Sequence, residues 1–199
     1  MNVRRAIGVT CGALWVVAMG AGFTALVNYS NRAGDTDAAP RQWPGASRIP
    51  RNADHAMLVL FFHPRCPCSS ASLGELARLM THCQRKVAVQ ALFVVPPEES
   101  SLIRAACAIP GVNVLHDEHG VEARRFGAKT SGQALLYDRD GKLLFSGGIT
   151  AARGHWGDNA GSAAIVAAVH GAQISRAATP VFGCPLFDPE SKCKNGSGS

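Results

Sequence analysis

The sequence has no run of lysine and arginine. Its 20 basic residues lie singly or in pairs and the formal net charge is only +6, so there is no basic stripe of the kind that grips a nucleic-acid backbone. Charge as a whole is scarce. Asp, Glu, Lys and Arg make up 17% of the chain against 47% hydrophobic residues, which excludes disorder throughout and supplies side chains for a real core. No internal repeat is present, and His55, His82, His116, His119 and His170 share no spacing that suggests a site. The 199 residues suit one domain with attachments.

Cysteine, by contrast, is plentiful. Seven in a chain of this length make the redox compartment matter. The N-terminus bears on it: after MNVRR comes an uncharged stretch from Ala6 to Val27, long enough to cross a bilayer. Arg4 and Arg5 precede it, and Asp35 and Asp37 follow, so the basic side stays in the cytoplasm and the rest faces outward. Residues 1–5 are then a cytoplasmic N-terminus and 6–28 an uncleaved single-pass anchor in the cell inner membrane, with the domain on the periplasmic side. A signal peptide is the alternative, because Ala21, Gly22 and Ala25 are small. Cys11 falls inside this span.

Residues 29–53 contain Pro40, Pro44 and Pro50 among small and polar residues and read as a linker. The domain of residues 54–172 alternates its signals. Met57–Phe62 is a continuous apolar run, the form of a strand covered on both faces. Leu73, Leu76, Ala77 and Met80 then share one helical face, and Lys86–Val95 reads as a second buried strand. Strand, helix and strand within about 40 residues make a right-handed βαβ unit. A helical segment ends at Pro110-Gly111; a short strand at Asn113–His116 and a helical turn around Val121–Phe126 follow. QALLYDRDGKLLFSGG is a hairpin around Asp138–Gly141, and GSAAIVAAVHG is an Ala-rich helix. The sum is an α/β fold, a mixed sheet of four to five strands with helices on both faces. Residues 173–199, with Cys184 and Cys193, read as a flexible tail.

The chemistry gathers at FFHPRCPCSS, where Cys66 and Cys68 follow the first strand with one proline between them. With Cys66 as N-cap and Pro67 in the first helical position, the thiol faces free backbone N–H groups and the positive helix end, which stabilises the reactive thiolate. Arg65 adds charge next door. Ser72 and Glu75 could instead form a capping box that starts the helix later. Three readings are open for the pair: a redox couple, a clamp for a soft ion such as copper with His63 as third ligand, or two inert cysteines. A bridge between cysteines two apart in an extended chain spans roughly 6–7 Å between Cα atoms, near the upper limit.

This order of elements, with the pair at the first strand–helix junction, resembles the thioredoxin-like superfamily. FFHPRCPC matches the turn where thioredoxins carry Cys-x-x-Cys, here shortened to Cys-x-Cys. LLYDRDGKLLFSGG looks like the hairpin of membrane-tethered TlpA, ResA and Sco proteins. CPC together with GHWGDN and FGCPLF looks most like RedB-type thioredoxin-like proteins. Ser131-Gly132 stands where thioredoxins place a cis-proline beside the active site, and the peroxiredoxin pattern is absent because its threonine is missing. The resemblance implies that the loop of residues 148–161 emerges beside CPC, with His155 as proton shuttle or ligand and Trp156 as substrate contact. A plain connector whose Asp158 or Asn159 caps the next helix is the alternative. Cys184, within reach of the same end, would resolve a disulfide on Cys66, serve as a third soft ligand, or bridge structurally to Cys193, Cys83 or Cys107. Cys83 and Cys107 themselves lie on apolar helical faces and read as core residues. The expected activity is cofactor-free thiol–disulfide exchange on exported thiol or disulfide proteins, with Cys66 as nucleophile and Cys68 as resolver. A Sco-like copper carrier using Cys66, Cys68 and His63, and a non-catalytic interaction module, are the alternatives.

Overall fold

A computed structural model describes residues 3–52, 54–83, 86–94 and 100–187. It divides into two units, residues 1–32 and 33–199. The first is one helix, α1 (Val3–Ser30), within which Ile7–Ser30 forms an apolar span of 24 residues with mean hydropathy 1.7. At 1.5 Å per residue such a span is about 36 Å long, enough for a hydrocarbon layer of about 30 Å.

The second unit is built on a five-stranded sheet. Its strands are β1 (Ala56–Phe62), β2 (Val87–Val94), β3 (Val112–Asp117), β4 (Gln133–Tyr137) and β5 (Leu143–Gly148), in the order β3-β2-β1-β4-β5. β1, β2 and β3 are parallel, β4 runs against β1, and β5 runs against β4. β5 therefore points the same way as β1. The chain leaves both strands at one end of the sheet.

The apolar run of β1 is buried on both faces because both are covered. Leu58, Leu60 and Phe62 face α2 (Ser69–Cys83), α3 (Ser101–Cys107) and α5 (Ala160–Val169) across a core that includes Leu76, Leu79, Ala106 and Ile165. Met57, Val59 and Phe61 face the other way, towards Phe126, Leu135 and Tyr137. Among the described residues, the helical cover of that second face is the short α4 (Val121–Arg125), which follows a 3-10 turn at Glu118–Gly120. The rest of its cover comes from two segments that the sequence suggested were loose.

The first is residues 33–52, expected to be linker. Trp43 packs edge-on against Phe126 at 5.1 Å and Tyr137 at 5.2 Å between centroids. The Tyr137 hydroxyl donates to the carbonyl of Pro40 at 3.0 Å, and Ser47 Oγ donates to the Glu122 carboxylate at 2.8 Å. Ile49 is buried in the same cluster. The prolines therefore stiffen a wrapping segment whose apolar anchors complete a half-covered sheet. The second is residues 177–187, expected to belong to a flexible tail. Thr179 Oγ1 donates to Gly148 O at 2.8 Å, the Gly34 N–H to Val181 O at 2.8 Å, and the Leu186 N–H to Lys129 O at 2.8 Å. Leu186 is fully buried. The open edge of β5 and the uncovered apolar face give this strap its place. Cys193 lies outside the described residues.

Cys83 is buried in the helix-side core, whereas Cys107 is exposed. In the short α3 it is Ala106 that turns inward, leaving Cys107 at the helix end facing solvent.

Candidate functional site

The site forms where β1 runs out. Past Phe62 the chain turns twice: the Cys66 N–H donates to His63 O at 3.0 Å, and the Ser69 N–H to Cys66 O at 3.1 Å. α2 begins at Ser69, so Cys68 sits immediately before the helix and Cys66 in the turn that leads into it. This lies between the two expected starts. Ser72 and Glu75 form no capping box, because both are engaged elsewhere: Ser72 faces Gly132, and Glu75 reaches across to another loop.

Three sulfurs meet there. The Sγ atoms of Cys66, Cys68 and Cys184 all lie within 4.8 Å of one another, and no histidine nitrogen joins the group among the described residues. Cys66 is only 1% exposed, while the other two are half-buried. Cys184 arrives on the strap, which pairs antiparallel with the segment before β4 through a bridge of Thr130 with Pro185. The Ser131 N–H donates to Cys184 O at 2.8 Å.

The three thiols differ in acidity. Burial pushes the Cys66 thiol up, but hydrogen bonds from the Ser69 hydroxyl, from the thiol and N–H of Cys184, and from the N–H of Cys68 outweigh it, so Cys66 falls below the ordinary thiol value. Burial and the charge of Cys66 push Cys68 up, against the pull of Arg153. Cys184 is pushed up to about 12 by burial, by the hydrogen bond it makes to Cys66 and by the charges of Cys66 and Cys68, again against Arg153. Of the three, Cys66 is the thiol most readily ionised.

A chain of donors favours the ionised form of Cys66. The His63 N–H donates to Ser131 Oγ at 2.8 Å, and the Ser131 and Ser69 hydroxyls are 2.7 Å apart. Each hydroxyl has one proton. Since Ser69 gives its proton to Cys66, Ser131 must give its own to Ser69. The result is an oriented series from backbone amide to thiolate in a buried setting, where such bonds strengthen one another. Removing its last member, Ser69→Ala, is expected to raise the Cys66 pKa by about one unit or more, since a hydrogen bond to a charged group contributes about 1.5–3 kcal/mol. The pH profile of Cys66 alkylation measures this, and an unmoved midpoint would remove Ser69 from the site.

The loop after β5 does come back over α2. The Glu75 carboxylate, 2% exposed, accepts the Gly157 N–H at 2.8 Å, the Asn159 amide at 3.2 Å and Arg78 at 3.1 Å. The Trp156 ring lies over Gly74, where an added Cβ would come within 2.5 Å of it. Asn159 also caps α5, its side chain accepting the Ser162 N–H at 2.8 Å. The loop sends Arg153 to the sulfurs, where it bonds to Cys68 and donates to Gly183 O.

His155 is exposed, with its backbone N–H on Ala152 O, and Trp156, 60% exposed, lies against Gly74 of α2. Two sequence expectations are corrected here. Arg65 is exposed too, its backbone N–H donating to His63 Nδ1 at 3.2 Å. The cation acting on the cluster is Arg153. The third sulfur-side partner of Cys66 and Cys68 is Cys184 in place of His63, and Cys184 lies away from Cys83 in the helix-side core. Ser69, Ser131 and Arg153 carried no motif. The position of GHWGDN at the matching sheet end pointed towards Arg153, and the place of Ser131-Gly132 at the thioredoxin cis-proline position pointed towards Ser131; nothing pointed to Ser69.

No family model matches the sequence, and no curated protein matches it. Among solved structures, a hypothetical protein of Sinorhizobium meliloti 1021 aligns with TM-score 0.60 at 22% identity, over 76% of this chain and 96% of that one. An uncharacterized conserved protein of Geobacillus kaustophilus aligns with TM-score 0.58 at 19% identity, over 81% and 94%. At these identities the likeness is one of fold.

Proposed function

We propose that this chain catalyses thiol–disulfide exchange on exported thiol or disulfide proteins, with Cys66 as the attacking thiolate. The chain has a thioredoxin-like fold: a βαβ unit, a hairpin with one antiparallel strand, a closing helix, and a cysteine pair at the first strand–helix junction. The observation that carries the reading is the buried Cys66 sulfur, held below the ordinary thiol pKa with two protonated thiols within 4.8 Å. Exchange requires this combination, a thiolate to attack and a thiol in reach to release the product. The apolar α1, with Arg4 and Arg5 before it and Asp35 and Asp37 after it, supports anchorage in the inner membrane with the domain outside, where disulfides persist.

The test is equilibration of the full chain, in detergent micelles, with glutathione buffers of graded composition. After acid quenching, the thiols are counted by alkylation and mass spectrometry. Two thiols of the cluster are expected to be lost together as one cooperative couple. Independent oxidation of single cysteines, or none, would overturn the reading.

One observation favours a second reading. Three sulfurs in mutual reach are a ligand set for a soft ion, copper(I) first, with Cys184 taking the place expected for His63. Titrating the reduced chain with copper(I) against a competing chelator separates the two. One equivalent held tightly by the wild type and lost in Cys66→Ala would move the assignment to a copper carrier. Binding no tighter than the chelator leaves exchange.

A further inference from the structure

We propose that Cys184, carried on the strap of residues 177–187, is the thiol that resolves disulfides formed on Cys66, and that the strap lifts to admit the partner disulfide and reseats to expel it; this rests on the exchange reading above. Cys66 has two thiol neighbours, and the cysteine pair itself suggests Cys68. The backbone argues otherwise. Cys66 and Cys68 lie two apart in the turn that leads into α2, their sulfurs within 4.8 Å and their thiols hydrogen-bonded, but both are fixed by that one turn. Drawing their sulfurs to a bonding distance of about 2.05 Å distorts a turn held by Ser69 N–H to Cys66 O at 3.1 Å and Ala71 N–H to Cys68 O at 3.2 Å. Cys184, like Cys68, meets Cys66 with both its thiol and its backbone N–H, but it comes from a separate segment. Closing that gap asks only for a small shift of the strap.

The same segment covers the nucleophile. Cys66 is 1% exposed with the strap seated, so a partner sulfur reaches it only when the strap moves. Around Cys184 the contacts to be released are Ser131 N–H to Cys184 O, Leu186 N–H to Lys129 O and Arg153 to Gly183 O, together with the buried seat of Leu186, while Ser146, Gly148 and Gly34 can keep the N-terminal part of the strap in place as its hinge.

The chemistry balances as follows. The Cys66 thiolate attacks one sulfur of a partner disulfide, forming the mixed disulfide and releasing the other partner sulfur as a thiolate. That thiolate takes the proton of the Cys184 thiol, directly or through water. The Cys184 thiolate then attacks Cys66 Sγ, forming the Cys66–Cys184 bond and breaking the mixed disulfide. The second partner sulfur leaves as a thiolate and is protonated by water. The partner gains two electrons and two protons, the Cys66–Cys184 pair is oxidised, and a dithiol co-substrate regenerates it. Run backwards, the same steps donate a disulfide.

The test adds oxidised glutathione to the reduced full chain in micelles and follows the adducts by peptide mapping. The wild type is expected to yield a Cys66–Cys184 bridge with Cys68 free for alkylation. Cys68→Ser is expected to resolve its glutathione adduct within about threefold of the wild-type rate, whereas Cys184→Ser accumulates the Cys66–glutathione adduct and resolves it at least about tenfold more slowly. A Cys66–Cys68 bridge with Cys184 free in the wild type overturns the proposal, and that result does not depend on any variant folding. So does trapping in Cys68→Ser with normal resolution in Cys184→Ser. If Cys66 takes up no glutathione at all, the exchange reading falls and this inference with it.

Discussion

Cys66→Ser is expected to remove reaction with oxidised glutathione at this site and to lower total disulfide exchange by about a hundredfold or more, since only the thiolate is a competent nucleophile. The reason lies in the distribution of protons. Of the three clustered thiols only Cys66 sits below the ordinary value of 9.0. Cys68 and Cys184 are pushed up, the latter to about 12, and stay protonated near neutral pH. Cys83 cannot substitute, being buried with its thiol pushed up to about 11. Exposed Cys107 supplies a slow background that peptide mapping reads separately. The pH dependence has a definite sign. Because the Cys66 value is lowered, the wild-type rate should hold as pH falls below 9.0 and decline only beneath the lowered value. A variant that keeps its rate within about threefold would move the nucleophile elsewhere.

The second large effect is expected from Gly183→Ala. A Cβ on Gly183 would lie 1.9 Å from Ser131 O and 2.9 Å from Ser131 C. The obstacle is backbone in the paired segment, which no side-chain rotation relieves. The strap must therefore leave its seat, taking Cys184 with it. Two results should follow at the site. Cys66 loses the thiol and N–H of Cys184 as donors, so the midpoint of its alkylation profile moves up in pH. It also loses its cover, so the plateau rate at high pH rises, by about tenfold if the strap is the main barrier. Unseating buried Leu186 and Val181 costs about 1.5–3 kcal/mol for each side chain exposed. For a domain of this size the two together correspond to a fall in melting temperature of about 6–24 °C. An unchanged melting curve with an unchanged profile would show that the strap does not hold Cys184 over Cys66 in solution.

What the sequence discloses and what it hides divide along a physical line. β1 is legible because a strand covered on both faces must be apolar at every position. The hairpin is legible because Asp138–Gly141 has the chemistry of a turn, and α1 because nothing else in water is uncharged for so long. The same local rules mislead at residues 33–52 and 177–187. Prolines and small polar residues mark chain that forms no helix or strand of its own, which is a different property from being loose. Trp43, Ile49, Val181 and Leu186 are single apolar anchors with no period, and their value appears only once a sheet face stands uncovered beside them. Arg153 illustrates the limit at the site. The GHWGDN loop was placed at the right end of the sheet by topology, yet which of its side chains reaches the sulfurs depends on how Glu75 gathers Gly157 and Asn159.

On the proposed exchange reading, the series of donors running from the His63 amide through Ser131 and Ser69 also biases which way electrons run. Whatever holds the Cys66 thiolate in place stabilises the reduced protein and leaves the oxidised one untouched. Each unit by which the Cys66 pKa is lowered is worth about 1.4 kcal/mol, which for a two-electron couple raises the reduction potential by about 30 mV. Hydroxyl protons on two serines thus act as a bias on an electrochemical cell. The more firmly they hold, the more the protein serves as an acceptor that leaves disulfides in its partners, and the less as a reductant that removes them.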